Sequence, residues 1–395
     1  MKIIYTAALV LCSSLFFMIS PVLGYPSFEK EMKNLQSQLE KIQPQLNGSI
    51  ILIDNEKDKF AYSSNNVSDK SQFYIGSLTK QFTAFIFLNL LHKKHPSEDI
   101  EKLLNRKLSE EFPDSNILKS LDKSWVTEIS LLDLLTHRSG LSDYIEAYVF
   151  QLKQPELLSK PIDAKSILQV VSFDPEKNYR YSNTNYFLLG KLIEEMQGEN
   201  FDQAFNTLIK TPAKMDFSYA PTQDNFHMFI QENRFQNLVP DMNKEIFIDV
   251  ANAIGTGNII STSEDLLSWN KYLYSESNAE IRKIMLKGFF QDEDGDIVNL
   301  GLTTSQTNFG PLIGFQGGQD SYHSFLGYLP SHKLNIVILS NNTEDFEKLM
   351  GIFINFLQSD LTKTKKVGSS LFFRSKTKEA DTVQVLNQTQ SNNLK

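Results

Sequence analysis

Cysteine is almost absent from the 395 residues: the only one is Cys12. It falls within "MKIIYTAALVLCSSLFFMISPVLG", where an early lysine, an apolar stretch from Ile3 to Ile19 and the small residue Gly24 read as a secretory signal over residues 1–24. A mature chain starting near Tyr25 has no cysteine, which excludes disulfides, thiol catalysis and thiolate metal sites and leaves stability to core packing. Leu11 is too large for the residue before a lipidated cysteine. The apolar stretch is also nearly long enough to cross a bilayer, so an uncleaved anchor is its alternative reading. The chain is therefore expected to be secreted or periplasmic, and membrane-bound only if that segment is retained.

An excess of basic charge is missing as well. Lys and Arg number 39 against 47 Asp and Glu, a net charge of -8, which provides no footprint for nucleic acid. There is no internal repeat, and no Gly-x-Ser-x-Gly, which argues against an α/β-hydrolase with a Ser-His-Asp triad. His92 and His95 stand at one-turn spacing, but with Lys93 and Lys94 between them and no evident acidic partner they read as a solvated helix end, not a metal site. The chemistry read below needs neither metal nor organic cofactor. Residues 361–395 are polar, aperiodic and basic by seven residues to two, and are expected to form a disordered tail.

What is present suits one large catalytic domain over residues 25–360, with 41% hydrophobic residues overall. Phe28, Met32, Leu35, Leu39 and Ile42 have helical spacing, and "GSIILIDNEKDKFAYSS" reads as a hairpin turning at Asn55–Asp58. Phe82–Leu91 is apolar nearly all round, the pattern of a helix inside a domain. The pattern stays helical to about residue 250, with Gly198 a plausible stop and Ser261–Asp265 a capping box. Strands are expected from about Asp296 to Asn341, then a final helix with Leu349, Ile352, Phe353 and Phe356 on one face. The order predicts an α+β fold: an antiparallel sheet built from both chain ends, flanked by helices, with an all-helical lobe inserted over about 81–250.

"FYIGSLTKQF" sets Ser77 three residues before Lys80. Ser-x-x-Lys also occurs at Ser27, Ser120, Ser268 and Ser375, but only Ser77 follows a glycine at the mouth of an apolar helix. Residues three apart on a helix share a face, so Lys80 can reach the Ser77 hydroxyl. The helix start also offers unpaired N–H groups to a developing oxyanion. A lysine in water has a pKa of roughly 10.4, and burial lowers it toward use as a base. The plainer alternative is a helix-capping serine with a lysine reaching to solvent. A second constellation, Tyr181-Ser182-Asn183, is the only Tyr-x-Asn among the fourteen tyrosines.

The Ser-x-x-Lys and Tyr-x-Asn pair resembles the motifs of the serine β-lactamase and penicillin-binding superfamily, most closely its class C β-lactamase-related branch. "LLTHRSGLSDY", "GTGNIISTSEDLLSW" and "SFLGYLPSHKLNIVILSNN" extend the resemblance over roughly residues 35 to 360. It implies that Ser77 is the nucleophile and that Lys80 keeps its hydroxyl poised. Tyr181 would relay the proton, as a phenolate or as the partner of a neutral lysine, and Asn183 would orient the substrate. His137, in "LLTHRSGL", would be architectural.

The third motif of that branch is a lysine or histidine followed by glycine, and here the matching stretch is "GFQGGQDSYHSF". Gln316 is expected at the cation's position, beside Gly317 and Gly318, with Gln319 giving the second oxyanion N–H. Loss of the charge would weaken carboxylate-bearing substrates by roughly 1–3 kcal/mol. His323 could compensate from nearby, although a strand histidine outside the site is the simpler expectation. Glu176 after Pro175 departs from the branch's Pro-Gly and alters a turn only. The expected activity is a serine hydrolase forming an acyl-enzyme on a small-molecule or peptidoglycan-like substrate, with esters ranked ahead of D-alanyl peptides and β-lactams. The alternative is a degenerate member that binds a peptide, glycan or protein without turnover.

Overall fold

The computed structural model describes residues 28–121, 123–232, 234, 237–240 and 249–358. The expected signal segment and the tail from 361 lie outside the described residues. Among the described residues ten strands occur in chain order: β1 Ser49–Asp54, β2 Lys59–Ser63, β3 Phe73–Tyr74, β4 Ile260–Ser261, β5 Phe290–Gln291, β6 Ile297–Val298, β7 Thr303–Thr307, β8 Gly310–Gln319, β9 Tyr322–Leu329 and β10 Leu334–Ser340. Eight of them form one antiparallel sheet in the order β2-β1-β10-β9-β8-β7-β6-β5, while β3 and β4 pair separately.

The sheet joins both ends of the chain because β1, at the start, pairs along its whole length with β10. Both strands are buried throughout, "SIILID" and "LNIVILS", so each must bury two faces and period 2 splits its residues. Ile51, Ile53, Ile336 and Ile338 face the helices Phe28–Ile42 and Thr343–Leu357, packing with Leu35, Leu39, Leu349 and Phe353. Ile50, Leu52, Val337 and Leu339 face the other way, into a larger core shared with the helical region. The β1–β2 turn is closed by Asn55, whose side-chain oxygen accepts from Lys57 and Asp58 N–H groups.

Between β3 and β4 the described elements are helices and helical turns, with isolated bridges. The helix Thr79–Lys94 runs through the middle, buried at every position from Thr79 to Leu91 except Asn89. Asn183–Gln197 packs beside it and stops at Gly198, whose φ of 69° is the left-handed cap that glycine favours. Thr262 caps the helix Ser263–Leu273 by accepting from Asp265 N–H.

The histidine pair near the end of Thr79–Lys94 is not a simple solvated end. Glu111 is buried and gathers Lys94 (2.7 Å), His95 (2.7 Å) and Arg106 (3.0 Å). Those hydrogen bonds hold its carboxyl below the usual range against the opposing pull of burial. The acidic partner lies 16 residues from His95, where spacing along one helix gave no sign of it.

Candidate active site

Ser77 sits in a tight turn, Gly76–Leu78, that runs directly into the helix Thr79–Lys94. This places its side chain at the helix mouth with Lys80 one turn on. The turn exists because backbone meets backbone there: a Cβ on Gly76 (φ +51°) would stand 2.7 Å from the main-chain N and O of Gly318 in β8. A Cβ on Gly317 would stand 2.1 Å from the Ile75 carbonyl oxygen. Only glycine at 76 and 317 permits this approach. From the neighbouring strand β9, Ser324 Oγ donates to that same Ile75 oxygen at 2.7 Å.

Tyr181 and Lys80 converge on the Ser77 hydroxyl, and Asn183 meets Lys80. Ser77 Oγ and Tyr181 Oη are 2.7 Å apart, with either able to donate. Lys80 Nζ donates to Ser77 Oγ at 3.0 Å, Asn183 Oδ1 at 2.9 Å and the Thr256 carbonyl oxygen at 3.0 Å. Lys80 is buried, at 1% exposure, so its charge depends on these partners and on the faces of Tyr181 and Tyr186, 5.0 and 5.9 Å away. Ser77 itself is half-buried.

Three further residues, Asp143, Thr256 and His137, hold this arrangement, and sequence reading had not singled out the first two. Asp143 Oδ2 accepts from the Asn183 main-chain N–H at 2.7 Å and from Asn183 Nδ2 at 2.9 Å. That fixes the amide with its oxygen toward Lys80. Burial pushes the Asp143 carboxyl up, against the hydrogen bonds from Asn183 and Ile145 and the charge of Lys80. Thr256 lies on a stretch held to the buried helix where Thr83 Oγ1 donates to Gly255 O. His137, at φ 57°, accepts from Ser182 N–H through Nδ1 at 3.1 Å and stacks on the Tyr181 ring at 4.5 Å. These contacts lie on the Tyr181 segment, and none is with Ser77. The signal for Asp143 was local: an aspartate directly before a helix start, capping Tyr144–Glu146.

The third motif is displaced by one residue from the sequence reading. Residues paired across an antiparallel sheet share a face. Gln316 pairs with Phe325, which packs on Phe353 of the terminal helix, so Gln316 lies on the face away from Ser77. Phe315 pairs with Leu326 and lies parallel to the Tyr181 ring, 6.5 Å away and tilted 23°. The residue on the site's face is therefore Phe315, flanked along the strand by Gly317 and Gln319.

The main-chain N–H that borders the Ser77 turn shifts with it. Within a strand, N–H groups of successive residues point to opposite edges, and the N–H and C=O of one residue share an edge. Gly318 presents its N and O toward Gly76, so its N–H borders the Ser77 turn while that of Gln319 turns toward β9. His323 also lies on the far face, stacked on Phe346 at 5.2 Å and bonded to Thr343, with burial pushing its pKa down to about 4. It offers no compensation at the site.

The model of the family described as Beta-lactamase matches residues 44–355. Penicillin-binding protein 4* of Bacillus subtilis is 23% identical over 352 residues, 81% of this chain and 74% of that protein. Teichoic acid D-alanine hydrolase of Staphylococcus aureus is 26% identical over 257 residues, 61% of this chain and 56% of that protein. The chain spans about half the length of the curated relatives it matches, from 38% to 74%. Among solved structures, D-amino acid amidase from Ochrobactrum anthropi SV3 superposes with a TM-score of 0.64 at 18% identity, covering 82% of this chain and 98% of that one. A class C beta-lactamase gives 0.60 at 16% identity, covering 86% and 97%.

Proposed function

The chain belongs to the Beta-lactamase family, and from that membership we propose that it is an exported serine hydrolase that forms an acyl-enzyme at Ser77 on a small ester or amide. The observation that carries the reading is the double contact on one hydroxyl, Tyr181 at 2.7 Å and Lys80 at 3.0 Å, at the mouth of a buried helix. A capping serine needs neither partner. Export rests on the composition of the first 24 residues.

In this mechanism Ser77 Oγ attacks the carbonyl carbon as its proton passes to Tyr181 Oη, which receives it as a phenolate held by the charge of the Lys80 ammonium, 5.0 Å from the ring, while Lys80 Nζ donates to Ser77 Oγ. Negative charge develops on the carbonyl oxygen, stabilised by the N–H groups of Ser77 and Gly318. The bond to the leaving alcohol or amine breaks as that group takes the proton. Water then attacks the acyl-enzyme along the same path, releasing the acid and restoring Ser77. The small amide and D-alanyl substrates named for the amidase and the teichoic acid hydrolase support a compact substrate.

The test is covalent labelling of the full mature chain with a fluorophosphonate, alongside Ser77→Ala. Labelling of the native chain and none of the variant is expected. Equal labelling of both would end the assignment of Ser77.

A further inference from the structure

We propose that Phe315 makes this site select uncharged acyl groups, esters or amides with no carboxylate near the scissile carbonyl. The proposal rests on Ser77 being the nucleophile. Its own basis is the parity of β8, which presents Phe315 beside Tyr181 and turns Gln316 to the opposite face.

The consequence is a wall of three rings. His137 stacks on one side of Tyr181 at 4.5 Å and Phe315 lies parallel to it at 6.5 Å. The half-buried Phe315 ring carries no charge and no donor, so a substrate carboxylate brought against it would lose water and gain no partner. Nearby cations are already engaged. Lys80 donates to Ser77, Asn183 and Thr256, which matches the three hydrogens of an ammonium, and Arg180 pairs with Glu146. His323, the histidine nearest along the strand pair, is on the other face of the sheet. An aliphatic or aromatic acyl chain, in contrast, gains contact area against the ring.

The test compares two esters of equal chain length, p-nitrophenyl hexanoate and the mono-p-nitrophenyl ester of adipic acid, which ends in a carboxylate. The native chain should favour the hexanoate in kcat/KM by about tenfold or more. Phe315→Lys should raise the relative rate on the adipate ester by about ten- to hundredfold, the scale of a hydrogen bond to a charged group. Phe315→Leu should keep the native preference. If Phe315→Lys does not fold, Phe315→His provides the same test: the adipate ester should gain below about pH 6.5, where the imidazole is charged, and not above it. Equal rates for the two esters on the native chain, or a ratio unmoved by both charged variants while fluorophosphonate still labels Ser77, overturns the role of Phe315 alone. No turnover of either ester together with no labelling overturns this proposal and the nucleophile assignment with it.

Discussion

Asp143 has no contact with Ser77 in the structure, yet its removal should disable the site. Its Oδ2 holds both the main-chain N–H and the side-chain amide of Asn183, at 2.7 and 2.9 Å, and the amide oxygen so oriented accepts from Lys80 at 2.9 Å. In Asp143→Asn the new amide must still face two Asn183 donors on one side and the Ile145 N–H, now 2.8 Å from Oδ1, on the other. One amide oxygen cannot serve both sides, and its NH2 would oppose a donor. Losing one hydrogen bond to a charged group amounts to about 1.5–3 kcal/mol, so acylation should slow by roughly ten- to 150-fold. Withdrawing a negative charge from beside a cation also lowers the pH at which that cation gives up its proton. The limb of the pH–rate profile governed by the coupled Lys80–Tyr181 pair should therefore move down in Asp143→Asn. A stopped-flow measurement of Ser77 phosphonylation by a fluorophosphonate from pH 5 to pH 10, with circular dichroism as the check on folding, reads both effects. A folded variant with native rate and native pH profile would refute the positioning role, because a merely structural aspartate would shift stability and leave the profile in place.

Two other perturbations probe the frame of the site. Gly317→Ala puts a methyl group 2.1 Å from the Ile75 carbonyl oxygen and 2.8 Å from the Ser77 N. Backbone, not a flexible side chain, must yield, at a cost of about 1–3 kcal/mol or more, so the melting temperature should fall and Ser77 labelling should be lost; a variant as stable and reactive as the native chain would contradict the close approach. Asp265, whose Oδ2 accepts from the Phe217 N–H and the Ser218 hydroxyl, is pushed up to about 6 from the ordinary 3.8, chiefly by burial. A raised carboxyl favours the fold fully below about pH 3.8, and this contribution is lost as pH rises through about 6, a difference of about 3 kcal/mol. Asp265→Asn should therefore lose less stability than the native chain between pH 4.5 and pH 7.5 in thermal melts, and an unchanged pH slope would count against the burial.

The elements that sequence pattern placed well are those whose burial shows in composition. A strand such as "LNIVILS", apolar on both faces, and a helix apolar all round leave little else for those residues to do, and both are found where the pattern put them. The Ser77, Lys80, Tyr181 and Asn183 set came from other signals: the helix mouth singled out Ser77 and Lys80 among five Ser-x-x-Lys matches, and the family resemblance brought in Tyr181 and Asn183, which the fold places within hydrogen-bond reach of them. Asp143 and Thr256 were not, because each acts through hydrogen bonds to a residue 40 or more positions away, and a lone aspartate or threonine carries no periodic signature.

The error in the third motif shows where such reading stops. A strand reveals which face a residue occupies through alternation of large apolar and small or polar side chains, and "GFQGGQ" suspends that alternation just where it matters. Two adjacent glycines are silent about parity, since neither has a side chain to favour one face. What fixes the register is β9: Ser324 opposite Gly317 reaches Ile75, and Phe325 opposite Gln316 fills the core under the terminal helix. A shift of one residue would bury Gln316 against Tyr181 and swing Phe315 into a core already filled by Phe325 and Phe353, losing packing on both faces. The same hydrophobic demand that builds the outer layer of the domain therefore decides that a ring, and not an amide, stands beside Tyr181.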